Sequence, residues 1–202
     1  MYTLYNLPGS CSLATQVVLH ELNQPVELVD VQQLSNFTDI NPVGAVPVLI
    51  DGDSTLREGA AILLHLFNKH ENSMMPTSGA SRKQAIEDIL FANATMHPAY
   101  GRLFFIARHI TDKDAKQAAF NAAAEAINSL WQVVDQQLAG RDFLGGERAS
   151  AADILLAVYS RWGDNYPVTI TFGSNTSRML DAVQAMPSFQ LSLAAEQTRS
   201  AA

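Results

Sequence analysis

Residues 2–31 read YTLYNLPGSCSLATQVVLHELNQPVELVDV, and this stretch indicates the architecture of the first third of the chain. Tyr2 to Asn6 is short and rich in β-forming residues, and the Leu-Pro-Gly run after it stops the predicted strand. Ser10 can cap a helix over residues 11–22, whose apolar positions lie near one face. Val26 to Val31 then predicts a second strand. This strand–helix–strand order favours parallel strands joined by a right-handed crossover.

A hairpin and a helix complete this predicted α/β region. Residues 47–50 and 54–56 flank Asp51-Gly52-Asp53, which is a short hairpin signal. Residues 58–69 follow with helical periodicity. The predicted order is therefore βαβ, an irregular or helical piece, and then ββα.

Beyond residue 75 the composition becomes alanine-rich and helical. The stretch at the start of this region contains Pro76, Ser78 and Gly79, which is typical of a linker between domains. The periodicity predicts a short terminal helix after Pro187 and four longer helices over residues 81–109, 112–138, 150–162 and 175–186. The sequence thus predicts an α/β domain at 1–72, a linker at 73–80 and an all-helical domain at 81–202.

The bulk composition narrows the possible partners and compartments. The chain has 202 residues, 48% hydrophobic content and a formal net charge of −7, so phosphate backbones are repelled and nucleic acid is not an expected partner. No signal-peptide pattern and no apolar run long enough to span a membrane is visible. The single cysteine cannot form an internal disulfide. We therefore expect a cytoplasmic protein without a membrane partner.

Four short segments occur in a specific order along the chain: YNLPGSCSLA at 5–14, NPVGAVPVL at 41–49, LREGAAI at 56–62 and SAAD at 150–153. Together they resemble the glutathione transferase family, most closely its bacterial beta class. The resemblance covers almost the whole chain. It implies a thioredoxin-like α/β N-terminal domain followed by an all-α C-terminal helical domain, a homodimer, and glutathione as co-substrate.

Cys11 is the candidate catalytic residue. The first turn of the predicted helix places it among unpaired N–H groups at the positive end of the helix dipole, where a cysteine becomes partly thiolate. The alternative is an inert buried thiol. By resemblance, Cys11 contacts the glutathione sulfur and can form a mixed disulfide with it, and Ser10 and Ser12 are auxiliary donors. Tyr5 is the rival, because in other branches of the family a first-strand tyrosine donates to the thiolate.

The resemblance also implies how glutathione is held. A cis bond before Pro47 would leave the Val46 N–H and C=O free to pair with the cysteinyl backbone, as in strand addition; the alternative is an ordinary trans proline. Glu58 and Gly59 start a helix whose N–H groups can bind a carboxylate, and the Glu58 carboxylate can meet the α-amino group. Gly59 stands where a serine is common in the family, so one hydroxyl donor is lost.

A second departure from the family lies between Val31 and Asn41. This segment carries no lysine or arginine for the glycine-end carboxylate of glutathione. The neutral side chains of Gln32, Gln33 or Asn36 could substitute, and the sequence does not choose among them.

In the helical domain, His97 matches a histidine that the beta class places near the sulfur. Helical spacing puts Tyr100 and Phe104 alongside it, and Trp162 is a further candidate. These residues could form an apolar substrate pocket with His97 as hydrogen-bond donor or acid–base group, or they could be a polar patch and plain core. Ser150 and Asp153 are assigned to a helix capping box, not to catalysis.

These observations favour a detoxifying enzyme that conjugates the glutathione thiol to small hydrophobic electrophiles. Peroxide reduction or thiol exchange through Cys11 is also plausible, as is a glutathione-dependent isomerase or dehalogenase. The alternative of another class is a non-catalytic protein that keeps the fold as an interaction or regulatory surface. The remaining histidines show no spacing of a metal site, so we expect no metal and interpret them as surface or hydrogen-bonded residues.

Overall fold

The computed structural model describes the backbone of residues 1–200 and the side chains of residues 1–197. The chain divides into two compact units. The N-terminal unit consists of Met1–Met75 together with Gln184–Ala202, and the helical unit is Pro76–Val183. This division differs from the predicted domain bounds at the C-terminal end, where the sequence assigned residues 81–202 to a single helical domain.

The N-terminal unit is built on a four-stranded mixed sheet. Its strands are β1 (Tyr2–Asn6), β2 (Val26–Asp30), β3 (Val48–Asp51) and β4 (Ser54–Leu56), in the spatial order β2-β1-β3-β4. β1 and β2 are parallel, whereas β1–β3 and β3–β4 are antiparallel. The predicted thioredoxin-like α/β arrangement is confirmed.

Four helices accompany this sheet: α1 (Ser12–Glu21), α2 (Phe37–Ile40), α3 (Gly59–Lys69) and α9 (Pro187–Ser200). α1 forms the crossover between the parallel strands, and the short α2, with a 3₁₀ turn over Val31–Gln33, fills the irregular piece before β3. Every residue of α1 from Ser12 to Leu19 is buried. A helix that is buried on all sides must be covered on all sides, and α1 packs against the sheet, against α3 and against α9. This explains why the last helix joins the N-terminal unit.

The helical unit contains α4 (Gly79–Leu90), α5 (His97–His109), α6 (Lys113–Gln137), α7 (Ala151–Ser160) and most of α8 (Ser174–Gln184). All ten residues of α7 are buried, and the helix packs against α4 and the segment that follows it. The prediction of an all-α second half is confirmed. No helix within residues 1–200 is both long and apolar enough to cross a bilayer.

The regular helix predicted over residues 81–109 is wrong in its middle. Phe91–Met96 forms a wide π-helical turn between α4 and α5, and the His97 N–H bonds to the Ala92 carbonyl five residues back. Pro98 has no N–H to give to the carbonyl four residues before it, so the ordinary ladder is interrupted at this point. The six residues before His97 therefore do not have α-helical spacing.

The predicted capping box at the start of α7 is confirmed. Asp153 has no exposed surface, and its carboxylate accepts from the backbone N–H groups of Leu144 (2.9 Å) and Ser150 (2.8 Å) and from the Ser150 hydroxyl (2.6 Å). The Asp153 N–H donates in turn to the Ser150 hydroxyl. The pair therefore orders both the helix start and the loop before it.

Candidate functional site

The loop between β1 and α1 is stiffened by its own serines. The Ser12 hydroxyl donates to the Leu7 carbonyl and accepts from the Leu7 N–H, both at 3.3 Å. Ser10 Oγ accepts from the Ser12 N–H at 3.2 Å and lies 2.7 Å from Ser12 Oγ. Ser12 has no exposed surface, so the expectation that it contacts glutathione is wrong. Its hydroxyl is used to close the loop, while Ser10 keeps a partly exposed position.

Cys11 lies immediately before the first residue of α1, and its thiol donates to the Val46 carbonyl at 3.3 Å. Burial raises the pKa of the Cys11 thiol to about 11, and the backbone N–H groups of Cys11 and Ser12 lower it by less. The expectation of a partly ionised cysteine is therefore wrong, because desolvation outweighs the helix-start donors. At pH 7 Cys11 is a neutral, partly exposed thiol.

The Val46–Pro47 peptide bond is cis, as the resemblance implied. Pro47 is buried and Val46 is partly exposed. Asn41, which is 3% exposed, braces this loop: its Nδ2 donates to the Ala45 carbonyl at 2.7 Å, and its Oδ1 accepts from the Val43 N–H at 3.3 Å. Sequence reasoning gave Asn41 no role, although an Asn-Pro pair is a turn signal.

Glu58 and Gly59 lie at the start of α3. Helix α3 begins at Gly59, and Glu58 precedes it in an extended conformation with no side-chain cap bond. Glu58 is exposed, so its carboxylate is accessible to a ligand. The first N–H groups of α3 have no partner within the helix and can bind an anion.

Gln33 is one of the neutral side chains proposed to bind the glycine-end carboxylate of glutathione, and it lies in the segment between β2 and α2. It ends the 3₁₀ turn after β2 and lines a cavity of about 390 Å³ together with Asp30 and three apolar residues, Leu28, Val29 and Leu34. The Asp30 carboxylate accepts from the Gln32 N–H at 2.9 Å. An acidic group therefore shares the cavity with Gln33. Gln32 and Asn36 are exposed.

Tyr5 is partly exposed and packs its ring against Phe37, with centroids 6.0 Å apart. Within the described residues no hydrogen bond joins its hydroxyl to Cys11. The structure thus brings Cys11 together with Val46, and places Tyr5 in an aromatic pair with α2.

In the helical unit, His97 lies in an aromatic cluster. Its ring stacks on Tyr159, with centroids 5.1 Å apart, and is tilted against Trp162, also at 5.1 Å. Burial lowers the pKa of His97, so the imidazole is neutral at pH 7. Phe104 contacts Trp162 at 5.4 Å and is 36% exposed.

Tyr100 was predicted to line the substrate pocket, and the structure corrects this prediction. It has no exposed surface, and its hydroxyl accepts from Trp131 Nε1 at 2.9 Å. Burial raises the pKa of Tyr100. A residue with no free surface cannot line an open pocket, so Tyr100 is a core residue. Trp162 is 5% exposed, which leaves His97 and Phe104 as the accessible edge of the cluster.

Helix α9, near the end of the chain, contacts the loop before Cys11, which the sequence did not predict. The Gly9 N–H, in the loop before Cys11, donates to the Glu196 carboxylate of α9 at 3.1 Å, and Glu196 is 6% exposed. Gly9 adopts a positive φ of 77°, which favours glycine.

In the same N-terminal unit, both amide atoms of the buried Gln16 lack a hydrogen-bond partner among the described residues. Neither the Gly9–Glu196 contact nor the environment of Gln16 can be predicted from a local sequence pattern, because both depend on the packing of distant segments.

Three of the four other histidines have hydrogen-bond partners, and the fourth, His109, is exposed and packs its ring against Phe105. His65 Nε2 lies 2.7 Å from Asp51, His70 Nε2 lies 2.7 Å from the Tyr2 hydroxyl, and His20 Nδ1 lies 3.0 Å from the Ser192 hydroxyl. They are accounted for by these contacts and are not candidates for the site.

Comparison with known proteins places this geometry in a family. Residues 4–74 match the family model for the glutathione S-transferase N-terminal domain, and residues 93–175 match the model for the C-terminal domain. The glutathione S-transferase GST-4.5 of Xanthomonas campestris pv. campestris is 30% identical over 199 residues, which are 96% of this chain and 98% of the relative.

The chain belongs to the glutathione S-transferase family. Among solved structures it is similar to a sphingomonad glutathione S-transferase complexed with glutathione, with 28% identity, a TM-score of 0.83, and coverage of 96% of this chain and 98% of that one. It is also similar to the bacterial beta class glutathione S-transferase of Sphingomonas chungbukensis, with 26% identity, a TM-score of 0.82, and the same two coverages. The resemblance to the beta class is thus confirmed.

Proposed function

We propose that this glutathione S-transferase family member binds glutathione in its N-terminal unit and transfers the glutathione thiol to small hydrophobic electrophiles. One observation carries the proposal: the Cys11 thiol lies 3.3 Å from the Val46 carbonyl, beside the cis Val46–Pro47 bond. A sulfur-directed donor and a partly exposed stretch of loop backbone therefore meet at one point. A thiol-containing peptide requires both.

Glutathione has an extended backbone with a carboxylate at each end, and the N-terminal unit offers a matching set of groups. The Val46 N–H and C=O can pair with its cysteinyl residue as an added strand. The exposed Glu58 carboxylate can accept from its ammonium group, and the N–H of Gly59 and of the next residue can bind its γ-glutamyl carboxylate. The Ser10 hydroxyl is partly exposed next to Cys11 and can add a hydrogen bond to the bound glutathione.

The chemistry follows from the raised pKa of Cys11. A neutral Cys11 S–H can turn from the Val46 carbonyl to donate to the sulfur of bound glutathione, which favours the thiolate form of that ligand. The thiolate then attacks the electrophile: with a chloronitrobenzene the C–S bond forms and the C–Cl bond breaks. Chloride leaves with the bonding electrons, and the thiol proton has already passed to solvent.

The same pKa favours conjugation over the alternative reactions. Thiol exchange and peroxide reduction need Cys11 as a thiolate nucleophile. With a pKa of about 11, only about one Cys11 in 10⁴ is ionised at pH 7. We therefore assign Cys11 to positioning and stabilising the glutathione sulfur. Neutral His97 and the exposed edge of Phe104 provide an imidazole and an apolar surface for the electrophile. The proposal includes a cytoplasmic homodimer with a role in detoxification, in line with the family resemblance.

The test combines retention on immobilised glutathione with a chloronitrobenzene conjugation assay. We expect the wild-type protein to be retained, to be eluted by free glutathione and to turn over the substrate. Cys11→Ala should keep most of the retention and lose most of the turnover. A wild-type protein that is neither retained nor active would contradict the proposal and favour a non-catalytic interaction protein.

A further inference from the structure

Arg57 joins the two segments that are proposed to hold glutathione. Its Nε donates to the carbonyl of Ile40 at 2.9 Å. Ile40 ends α2 and opens the loop that leads to Val46, whereas Arg57 directly precedes Glu58 and the start of α3. The guanidinium group therefore lies where the cis-proline loop and the α3 N-terminus approach each other.

Arg57 is also the cation in this region that is not engaged by a carboxylate. Residues 1–75 carry eight aspartates and glutamates but only two lysines and arginines, Arg57 and Lys69. Lys69 Nζ lies 2.6 and 2.7 Å from the two carboxylate oxygens of Asp51. Within the described part of the chain, no carboxylate oxygen lies within 4.0 Å of Arg57, which is exposed.

Glutathione brings two carboxylates and one ammonium group to this acidic surface. Glu58 and the α3 N–H groups match its γ-glutamyl end, whereas no lysine or arginine lies between Val31 and Asn41 to meet its glycine end. Gln33 shares its cavity with the Asp30 carboxylate, which repels an anion. An arginine bound only through Nε still presents its terminal nitrogens, the arrangement that pairs with a carboxylate.

We propose that Arg57 is the residue that binds the glycine-end carboxylate of glutathione and so selects for the complete tripeptide with a free C-terminus. This inference rests on the proposed function. It assigns the binding of the glycine-end carboxylate to Arg57, after β4, because the segment after β2 has no lysine or arginine for it. Because Arg57 is exposed, the ion pair between its guanidinium group and the glycine carboxylate is of moderate strength and is weakened by salt.

The experiment measures dissociation constants by titration calorimetry for two ligands, reduced glutathione and its monoethyl ester at the glycine carboxyl. Three proteins are compared: wild type, Arg57→Gln and the control Arg82→Gln. Arg82 likewise donates to a backbone carbonyl, that of Pro76 at 2.9 Å, but lies in the helical unit. We expect Arg57→Gln to weaken glutathione binding about three- to tenfold and ester binding less than about twofold, with Arg82→Gln changing neither.

Salt gives a second readout that a purely structural role would not move. The difference between wild type and Arg57→Gln for glutathione should shrink as sodium chloride rises from about 0.05 to 1 M, because the Debye length falls from roughly 14 Å to 3 Å. Equal losses for glutathione and the ester, or no loss for either, would overturn the assignment of Arg57. Failure of the wild-type protein to bind either ligand would instead contradict the proposed function itself.

Discussion

At Cys11, burial and the helix-start N–H groups act on one sulfur in opposite directions. Position in the sequence reveals the second effect but not the first, because desolvation depends on how Val46 and its loop cover the thiol. The position of Cys11 at the start of α1 was therefore predictable, whereas its protonation state was not. The same holds for Ser12 and Tyr100, whose residue types suggest donors but whose burial withdraws them from any ligand.

The pKa of Cys11 can be measured directly because it is the single cysteine. We expect iodoacetamide to label the free protein about 100-fold more slowly than free glutathione at pH 7.5, with a pH midpoint well above 9. The urea-unfolded protein serves as control and should react like an ordinary thiol. A midpoint below about 8.5 in the folded protein would mean that the helix-start donors prevail.

Asp153 tests the contribution of one buried carboxylate to folding. Asp153→Ala leaves the N–H groups of Leu144 and Ser150 without their acceptor, so we expect a loss of about 2–4 kcal/mol in the free energy of unfolding. The control is Asp142→Ala, an exposed carboxylate 2.8 Å from Arg178, with a loss below about 1 kcal/mol. Similar urea midpoints for the two variants would contradict the role of the capping box.

At the scale of elements, most of the secondary structure followed from local patterns. The β-rich runs, the hairpin at Asp51–Asp53 and the capping box at Ser150 are each decided by neighbouring residues. Two features were missed because they are not local. Pro98 widens the helix over Phe91–Met96, and α9 packs against α1, whose residues from Ser12 to Leu19 are all buried.

Glu196 tests the link between α9 and the loop before Cys11. Glu196→Ala removes the acceptor of the Gly9 N–H, so we expect a loss of about 1–3 kcal/mol in the free energy of unfolding and faster hydrogen exchange at Gly9. Glu196→Gln keeps a carbonyl oxygen at nearly the same place and should retain most of the protection. Equal exchange rates at Gly9 in wild type and Glu196→Ala would show that this contact does not order the loop.

At the scale of the whole molecule, several neutral groups are held in environments that oppose ionisation. Burial raises the pKa of Cys11 to about 11 and raises the pKa values of Tyr100 and Tyr166. A group whose pKa is higher in the folded protein contributes stability below its unfolded pKa. That contribution is lost as the pH climbs toward the folded pKa.

We therefore expect the urea midpoint to decrease as the pH is raised from about 9 to 10.5. Once the unfolded form of Cys11 ionises, this residue should lower the free energy of unfolding by about 1 kcal/mol per pH unit. The Cys11→Ala variant should show a shallower decline over the same interval. A midpoint that is constant to about pH 10.5 would contradict the raised pKa values.

The central claim is that the site around Cys11 keeps the sulfur of bound glutathione negative while Cys11 itself stays protonated. The ultraviolet thiolate absorbance of the complex measures this most directly, because Cys11 is the single cysteine and is silent below about pH 9. The account predicts that bound glutathione titrates with a pKa of about 7 or lower, against about 8.5 for a free thiol, and that Cys11→Ala moves this value back toward 8.5. A bound thiol that titrates like free glutathione in the wild-type protein would contradict it.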